Sequence, residues 1–213
     1  GPLAGVCRLR DRLAAPPPPV LGGHVLHEGT TRRRTFVHAP GFLSDRDIQD
    51  LQGLRMHPSV KGSARRDSGL AYRHSAQRME LPLRAHGREL YERLIGVMLW
   101  ADTTVWCRLR PSTKLYPEVE YIVYDARGGA PGTIEPHVDN NSAVSLIVLL
   151  SDQHDFEGGA NCFESASEEG SETRELRLAR GDAVIFRGEK LEHWITPVTS
   201  GVRVILQIEL QRG

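Results

Sequence analysis

The 213 residues are 39% hydrophobic and 25% charged, enough for one domain with a full core and no strong case for a second. Lys plus Arg (27) balances Asp plus Glu (27), so the overall charge gives no reason to expect nucleic acid or a membrane surface as partner. Cys7, Cys107 and Cys162 are odd in number and include no CxxC pair. That argues against a disulfide framework or a zinc site and favours a reducing compartment, cytoplasmic or nuclear.

In chain order, residues 1–30 carry Pro16 to Pro19 and Gly22-Gly23, the composition of a linker or surface arm. Gly1-Pro2 has the form of a protease-cleavage scar, so the natural N-terminus is expected to differ, and no signal-peptide pattern is present. Residues 31–213 are expected to form a single domain, with helical support over 40–118 and a β core over 119–213. Thr35 to His38 reads as a short strand. After Pro40-Gly41, Ser44 is a suitable N-cap, Asp47 sits in the first turn, and Ile48, Leu51 and Leu54 recur at helical spacing. The basic, polar stretch 57–78 reads as an irregular loop. A second helix is expected from His86 to Ala101, with Leu90, Leu94, Ile95, Met98 and Leu99 on its apolar face.

From Val119 the period changes to that of strands. Candidates are Tyr121–Tyr124, Thr133–Asp139, Ala143–Leu150, Ala160–Glu164, Leu176–Ala179, Ala183–Arg187, Leu191–Thr196 and Val202–Leu210. Turn signals divide them: Gly128-Gly129, Gly158-Gly159, Gly181-Asp182 and Thr199-Ser200-Gly201. The acidic segment from Asp152 to Glu175, with Glu164, Glu168, Glu169 and Glu172, reads as a solvated loop. The longest apolar run, Ala143 to Leu150 interrupted by Ser145, is far too short to cross a bilayer. Helices followed by short strands predict an α+β, mainly β fold: a jelly roll (double-stranded β-helix) with N-terminal helices packed on one sheet.

The chemistry centres on Pro136-His137-Val138-Asp139-Asn140-Asn141. On an extended segment His137 and Asp139 point to the same side. An imidazole and a carboxylate side by side are two thirds of the 2-His-1-carboxylate face that holds Fe(II) and leaves positions open. His193 is the candidate third ligand, set in Leu191-Glu192-His193-Trp194 after Gly181-Asp182-Ala183-Val184-Ile185-Phe186. Arg203 follows ten residues later (203 minus 193), within a strand of β-branched residues and leucine. An arginine there is costly without an anionic partner. Singly, each has a plainer reading: a surface His-Asp pair, a satisfied core histidine. The set as a whole outweighs those readings.

HxD, a histidine 54 residues on (193 minus 139), then an arginine after ten more resembles the 2-oxoglutarate- and Fe(II)-dependent dioxygenases. Tyr124, Phe156-Glu157-Gly158-Gly159, Phe163, Pro197-Val198 and Gly201-Val202-Arg203 extend the likeness to the prolyl 4-hydroxylase branch, which includes procollagen lysyl hydroxylase domains. Gly41-Phe42-Leu43-Ser44 resembles the phrase opening that branch's first helix. The resemblance implies that His137, Asp139 and His193 bind Fe(II) and that Arg203 takes the distal carboxylate of 2-oxoglutarate, shared with Tyr124. The gap from Tyr124 to His137 is thirteen residues, longer than usual in the branch, and Tyr121 is the alternative. It further implies O2 as co-substrate, ascorbate as reductant, succinate and CO2 as products, and a peptide or protein substrate hydroxylated on proline.

If Arg203 points inward, Ile205, Gln207 and Glu209 share its face. Related hydroxylases often carry an aromatic residue where Glu209 stands, and the nucleic-acid demethylases of the wider superfamily carry an arginine. Glu209 therefore argues against a nucleic-acid substrate. It is a candidate contact for a cationic substrate group, against the plainer reading of a strand end in water. Trp194 is first a packing residue and then a candidate substrate contact. The alternatives to a prolyl hydroxylase are a hydroxylase of lysyl residues or a small molecule, and a catalytically silent jelly-roll binding module. The oligomeric state is not readable from the sequence.

Overall fold

The computed structural model describes residues 26–28, 36–66, 73–167 and 170–213. Its three helices are α1 (Asp45–Leu54), α2 (Glu80–His86) and α3 (Arg88–Ala101). The strands are β1 (Leu26–Glu28), β2 (Phe36–Ala39), β3 (Lys61–Arg66), β4 (Arg73–Arg78), β5 (Leu115–Asp125), β6 (Ser142–Leu149), β7 (Phe156–Glu157), β8 (Asn161–Ser167), β9 (Gly170–Leu176), β10 (Ala183–Phe186), β11 (His193–Ile195) and β12 (Ser200–Arg212). A large sheet runs β1-β2-β10-β6-β12-β5-β4-β3, and a small one β11-β8-β9. All the pairings are antiparallel. This is the expected mainly-β, jelly-roll architecture with helices on one sheet.

Side-chain alternation assigns the two faces of the large sheet. Val144, Leu146 and Val148 of β6, with Leu206, Ile208 and Leu210 of β12, pack on Ile48, Leu51, Leu94, Ile95 and Met98 of the helices. The opposite residues, Ile147, Leu149, Ile205, Ile122, Tyr124, Val184 and Phe186, pack with Phe163 and Ile195 of the small sheet. Both faces of β6 are thus covered, and every one of its residues is buried. That is why its sequence is a continuous apolar run rather than an alternation. Ser145 is the exception on the inner face, and it has a function described below.

The helix layer is tied to the sheet at Gly181-Asp182. Leu43 N–H donates to the Gly181 carbonyl at 2.9 Å. Asp182 accepts from Gly41 N–H at 2.8 Å, from Ala179 N–H at 2.9 Å, and lies 3.1 Å from His38 Nε2. At the start of α1, Ser44 and Asp47 form a reciprocal capping box, as the sequence indicated for the cap.

Several local expectations are corrected. The stretch 57–78 is not an irregular loop, because β3 and β4 form a hairpin that lengthens the large sheet at its edge. Edge pairing is made by backbone groups and tolerates basic side chains, which conceal the strands from a hydrophobicity pattern. The support region therefore contributes strands as well as helices. Residues 26–28 of the expected arm pair with β2, and the remainder of 1–30 lies outside the described residues. The segment Thr133–Asp139 is not a strand: it is extended backbone joined to its neighbours by isolated bridges at Gly132, Thr133 and His137. Pro136, which lacks an N–H, breaks the ladder there. The acidic segment is largely the β8–β9 hairpin, and β9 ends at Leu176 rather than beginning there. Glu168 and Glu169 lie outside the described residues. The helix expected from His86 begins at Arg88, preceded by the separate α2, with Gly87 between them.

Two substitutions test this packing in urea unfolding. Ser44→Ala, which removes an exposed cap, is expected to cost about 1 kcal/mol. Leu94→Ala, at a wholly buried position between helix and sheet, is expected to cost about 2–5 kcal/mol. Equal losses from the two would contradict the layer arrangement.

Candidate metal centre

The extended segment and β11 meet through a reciprocal backbone pair. His137 N–H donates to the His193 carbonyl at 3.1 Å, and His193 N–H donates to the His137 carbonyl at 2.9 Å. This pair brings two imidazoles distant in sequence to a ring-centre separation of 4.3 Å. The period-two relation then sets Asp139 beside them, and one potential ligand atom from each of His137, Asp139 and His193 lies within 4.8 Å of the others. Asp139 and His193 are buried and His137 is partly buried. Phe186 stacks at a tilt against His193, with ring centres 4.5 Å apart.

The hydrogen bonds decide which nitrogens face the centre. His137 Nδ1 lies 2.7 Å from the Glu135 carbonyl, and His193 Nδ1 lies 3.0 Å from the Leu191 carbonyl. A carbonyl only accepts, so each Nδ1 carries the hydrogen and each Nε2 is left for the centre. Both Nε2 atoms lie 3.5 Å from the same oxygen, Asp139 Oδ1. Burial, the largest influence, pushes His193 down to about 4 despite the nearby Asp139 charge. At neutral pH it therefore turns a bare lone pair towards a carboxylate, which is unfavourable unless a cation lies between them. Burial also opposes the charged form of His137, but bonding to Asp139 and to the Glu135 carbonyl holds it above its ordinary value. Asp139 is lowered: burial raises it, and the bond to His137, the His193 charge and the Ser145 bond outweigh that. Two imidazole nitrogens and one carboxylate oxygen, each oriented from behind, suit a divalent transition metal with open coordination positions.

Arg203 lies in the inter-sheet core at 1% exposure. Its Nη2 donates to Asn161 Oδ1 at 3.2 Å, while Nε and Nη1 are buried with no hydrogen-bond partner among the described residues. Burial lowers its pKa, with Tyr124 opposing. The cross-strand register pairs Arg203 with Tyr124, and the guanidinium sits 5.3 Å from the Tyr124 ring centre. Such a cation calls for an anion. A Cβ on Gly159 would come within 2.5 Å of Arg203 Cδ, so only glycine lets the loop close over the arginine. Beyond it, Arg203, Asn161, Gly158 and Gly159 line a cavity of about 380 Å³.

His137, His193, Tyr124, Trp194 and Gln207 line one pocket with Asn161 and Phe163. Tyr121, the alternative to Tyr124, packs on the helix side and is not part of it. Trp194 is half-buried in that wall. Glu209 is not a strand end in water. It is half-buried, and its oxygens accept from Gln207 Nε2 at 2.8 Å and Gln211 Nε2 at 2.5 Å. Burial, and then the Asp139 charge, push its carboxyl up to about 7. Sequence reasoning missed Asn161, Ser142, Ser145 and Gly188. Of these only Ser145, a hydroxyl inside an apolar run, gave a signal.

No protein-family model matches the chain. A PKHD-type hydroxylase of Synechococcus sp. (strain CC9605) is 35% identical over 75 residues, a match spanning 32% of this chain and 32% of that protein. The chain thus matches about a third of that curated relative's length. Among solved structures, a prolyl-4-hydroxylase of Pseudomonas putida superposes with a TM-score of 0.60 at 14% identity, over 98% of this chain and 99% of that one. An oxidoreductase of the 2OG-Fe(II) oxygenase family from Burkholderia pseudomallei gives 0.60 at 13% identity, over 84% and 85%. A prolyl hydroxylase of Trichoplax adhaerens, solved with a hypoxia inducible factor oxygen degradation domain peptide fragment, gives 0.59 at 11% identity, over 83% of each chain. At these identities the shared feature is the fold, the jelly roll of the 2-oxoglutarate oxygenases.

Bonding to Asp139 and to the Glu135 carbonyl favours a proton on His137, so metal competes with that proton for the imidazole. Fe(II) affinity, titrated anaerobically, is therefore expected to fall as pH drops from 8 to 6, with protons released on binding. A pH-independent affinity would contradict the assignment. His193→Ala is expected to lower affinity on the order of a hundredfold or more.

Proposed function

We propose that the protein is an Fe(II)- and 2-oxoglutarate-dependent hydroxylase acting on a proline of a peptide or protein. The observation that carries the reading is the pairing of two unmet demands in one inter-sheet core. Three potential metal-ligand atoms converge within 4.8 Å, and the buried Arg203 guanidinium has two nitrogens with no acceptor among the described residues. A metal answers the first demand and a carboxylate the second, and 2-oxoglutarate carries the carboxylate together with a metal-chelating 2-oxo acid.

In this reading His137, Asp139 and His193 hold Fe(II). Arg203 receives the distal carboxylate of 2-oxoglutarate, and Tyr124, its cross-strand neighbour, shares that carboxylate and walls the pocket. Asn161 fixes one edge of the guanidinium so that Nε and Nη1 remain presented to the ligand. Phe163, Phe186 and Ile205 keep the space dry, which strengthens the charge pairing. When bound, the iron and 2-oxoglutarate supply O2-dependent hydroxylation of C–H, with release of succinate and CO2. Ascorbate serves as the external reductant. The peptidyl-proline substrate is supported by the two prolyl hydroxylases among the structural neighbours, one of them solved with a peptide.

A second reading of the substrate is favoured by Glu209. This half-buried carboxylate forms no ion pair among the described residues and lies within electrostatic reach of His137 and Asp139. It suits a lysyl or other cationic group, so Glu209→Gln would weaken such a substrate and leave a prolyl peptide unaffected.

Succinate release on admitting air to protein loaded with Fe(II) and 2-oxoglutarate tests the chemistry, and a silent binding module would release none. Arg203→Ala is expected to raise the KM for 2-oxoglutarate on the order of a hundredfold. A peptide panel read by mass spectrometry tests the substrate: oxygen addition on lysine alone would remove the prolyl assignment.

A further inference from the structure

The two oxygens of Asp139 have different surroundings. Oδ1 faces both histidine Nε2 atoms at 3.5 Å, whereas Oδ2 accepts a hydrogen bond from Ser145 Oγ at 2.5 Å. Ser145 has one proton and gives it to Asp139, so any proton in its 2.8 Å contact with Ser142 comes from Ser142, which shares it with the Val144 carbonyl at 3.1 Å. Both serines are wholly buried. Nothing in the packing of β6 asks for hydroxyls here, since Ile147 and Leu149 on the same face are apolar. On its other side the carboxylate meets Gly188, whose carbonyl accepts Asp139 N–H at 3.0 Å. A Cβ at that position would lie 2.2 Å from Ser145 Oγ and 2.7 Å from Asp139 Oδ2. The backbone, the Oδ2 edge and the space around it are therefore all fixed.

We propose that Ser145 is a positioning residue that limits Asp139 to a single metal bond through Oδ1 and so keeps one further coordination position open. The inference rests on the metal reading above. The hydroxyl occupies one lone pair of Oδ2, fixes its direction and draws off part of its charge. Turning the carboxylate to place both oxygens on a metal would break a buried bond to an anionic acceptor and leave the serine unsatisfied. With the hydroxyl removed, Oδ2 is free to bind, and a second carboxylate oxygen displaces one water or co-substrate atom. Ferrous chemistry of this kind depends on open positions, so a serine that never touches metal or substrate governs how many there are.

The test is water-proton relaxivity of the whole protein loaded with Mn(II), which accepts the same donors. Three protein atoms leave roughly three of six positions to water, so Ser145→Ala is expected to lose about one third of the inner-sphere relaxivity per bound ion. Ser145→Cys fills similar space with a weak donor and is expected to fall likewise, whereas Ser142→Ala keeps the Ser145–Asp139 bond and the parent value. Parent relaxivity in both the Ala and Cys variants would overturn the proposal and leave the metal site standing. Loss of Mn(II) from folded Ser145→Cys would also overturn it, because the serine would then hold the ligand rather than restrain it. Failure of the parent to bind Mn(II) would overturn the metal reading and the proposal together.

Discussion

The two backbone hydrogen bonds between His137 and His193 are the constraint on which the rest of the centre depends. They hold an irregular segment against the short strand β11 and so bring together residues separated by 56 positions (193 minus 137). Side-chain attraction draws His137 towards Asp139, but both imidazoles compete for the same carboxylate oxygen. The backbone pair, continued at Gly132 with Val198, adds an attraction that does not depend on their protonation. Asp139 is drawn in by its own N–H to the Gly188 carbonyl, so each ligand is placed by main chain first and oriented by a second group afterwards.

The same sheet-to-sheet space contains Arg203, and its cost shapes the surrounding packing. A guanidinium at full burial with two unbonded nitrogens destabilises the free protein. The fold meets that cost with covered β strands on both faces of the large sheet, a helix layer behind it, and the Gly158-Gly159 turn closed over the arginine. Binding a carboxylate there stabilises the folded chain by mass action. Affinity for an anion and instability without one are two aspects of a single placement.

Negative charge is distributed around the centre with care. Asp139, Glu209, Glu118 and Glu120 share one end of the inner face, and Arg78 pairs with the last two. Glu209 accepts from two glutamine amides and forms no ion pair among the described residues; burial first, and then the Asp139 charge, push its carboxyl up to about 7. A divalent ion at the centre would relieve that repulsion. The clustered carboxylates and the buried arginine thus set a negative and a positive end in the same inter-sheet space.

The sequence by itself singled out His137, Asp139, His193 and Arg203 as a candidate set, because their types and spacings have few other uses together. It also indicated the jelly-roll class, the Ser44 cap and the apolar run of β6, which rest on the order of element types, a capping residue and a short unbroken apolar segment. Tertiary structure alone decided that the basic stretch 57–78 contains a hairpin. Pairing at a sheet edge is made by backbone groups, which no side-chain pattern reports. It decided that the HxD segment is held by isolated bridges rather than in a ladder, and that Glu209 is half-buried rather than in water. It also brought Asn161 to Arg203 and Ser145 to Asp139. Those partners lie far apart in the chain or differ from ordinary core and strand residues only in what they face, and facing is a property of the folded sheets.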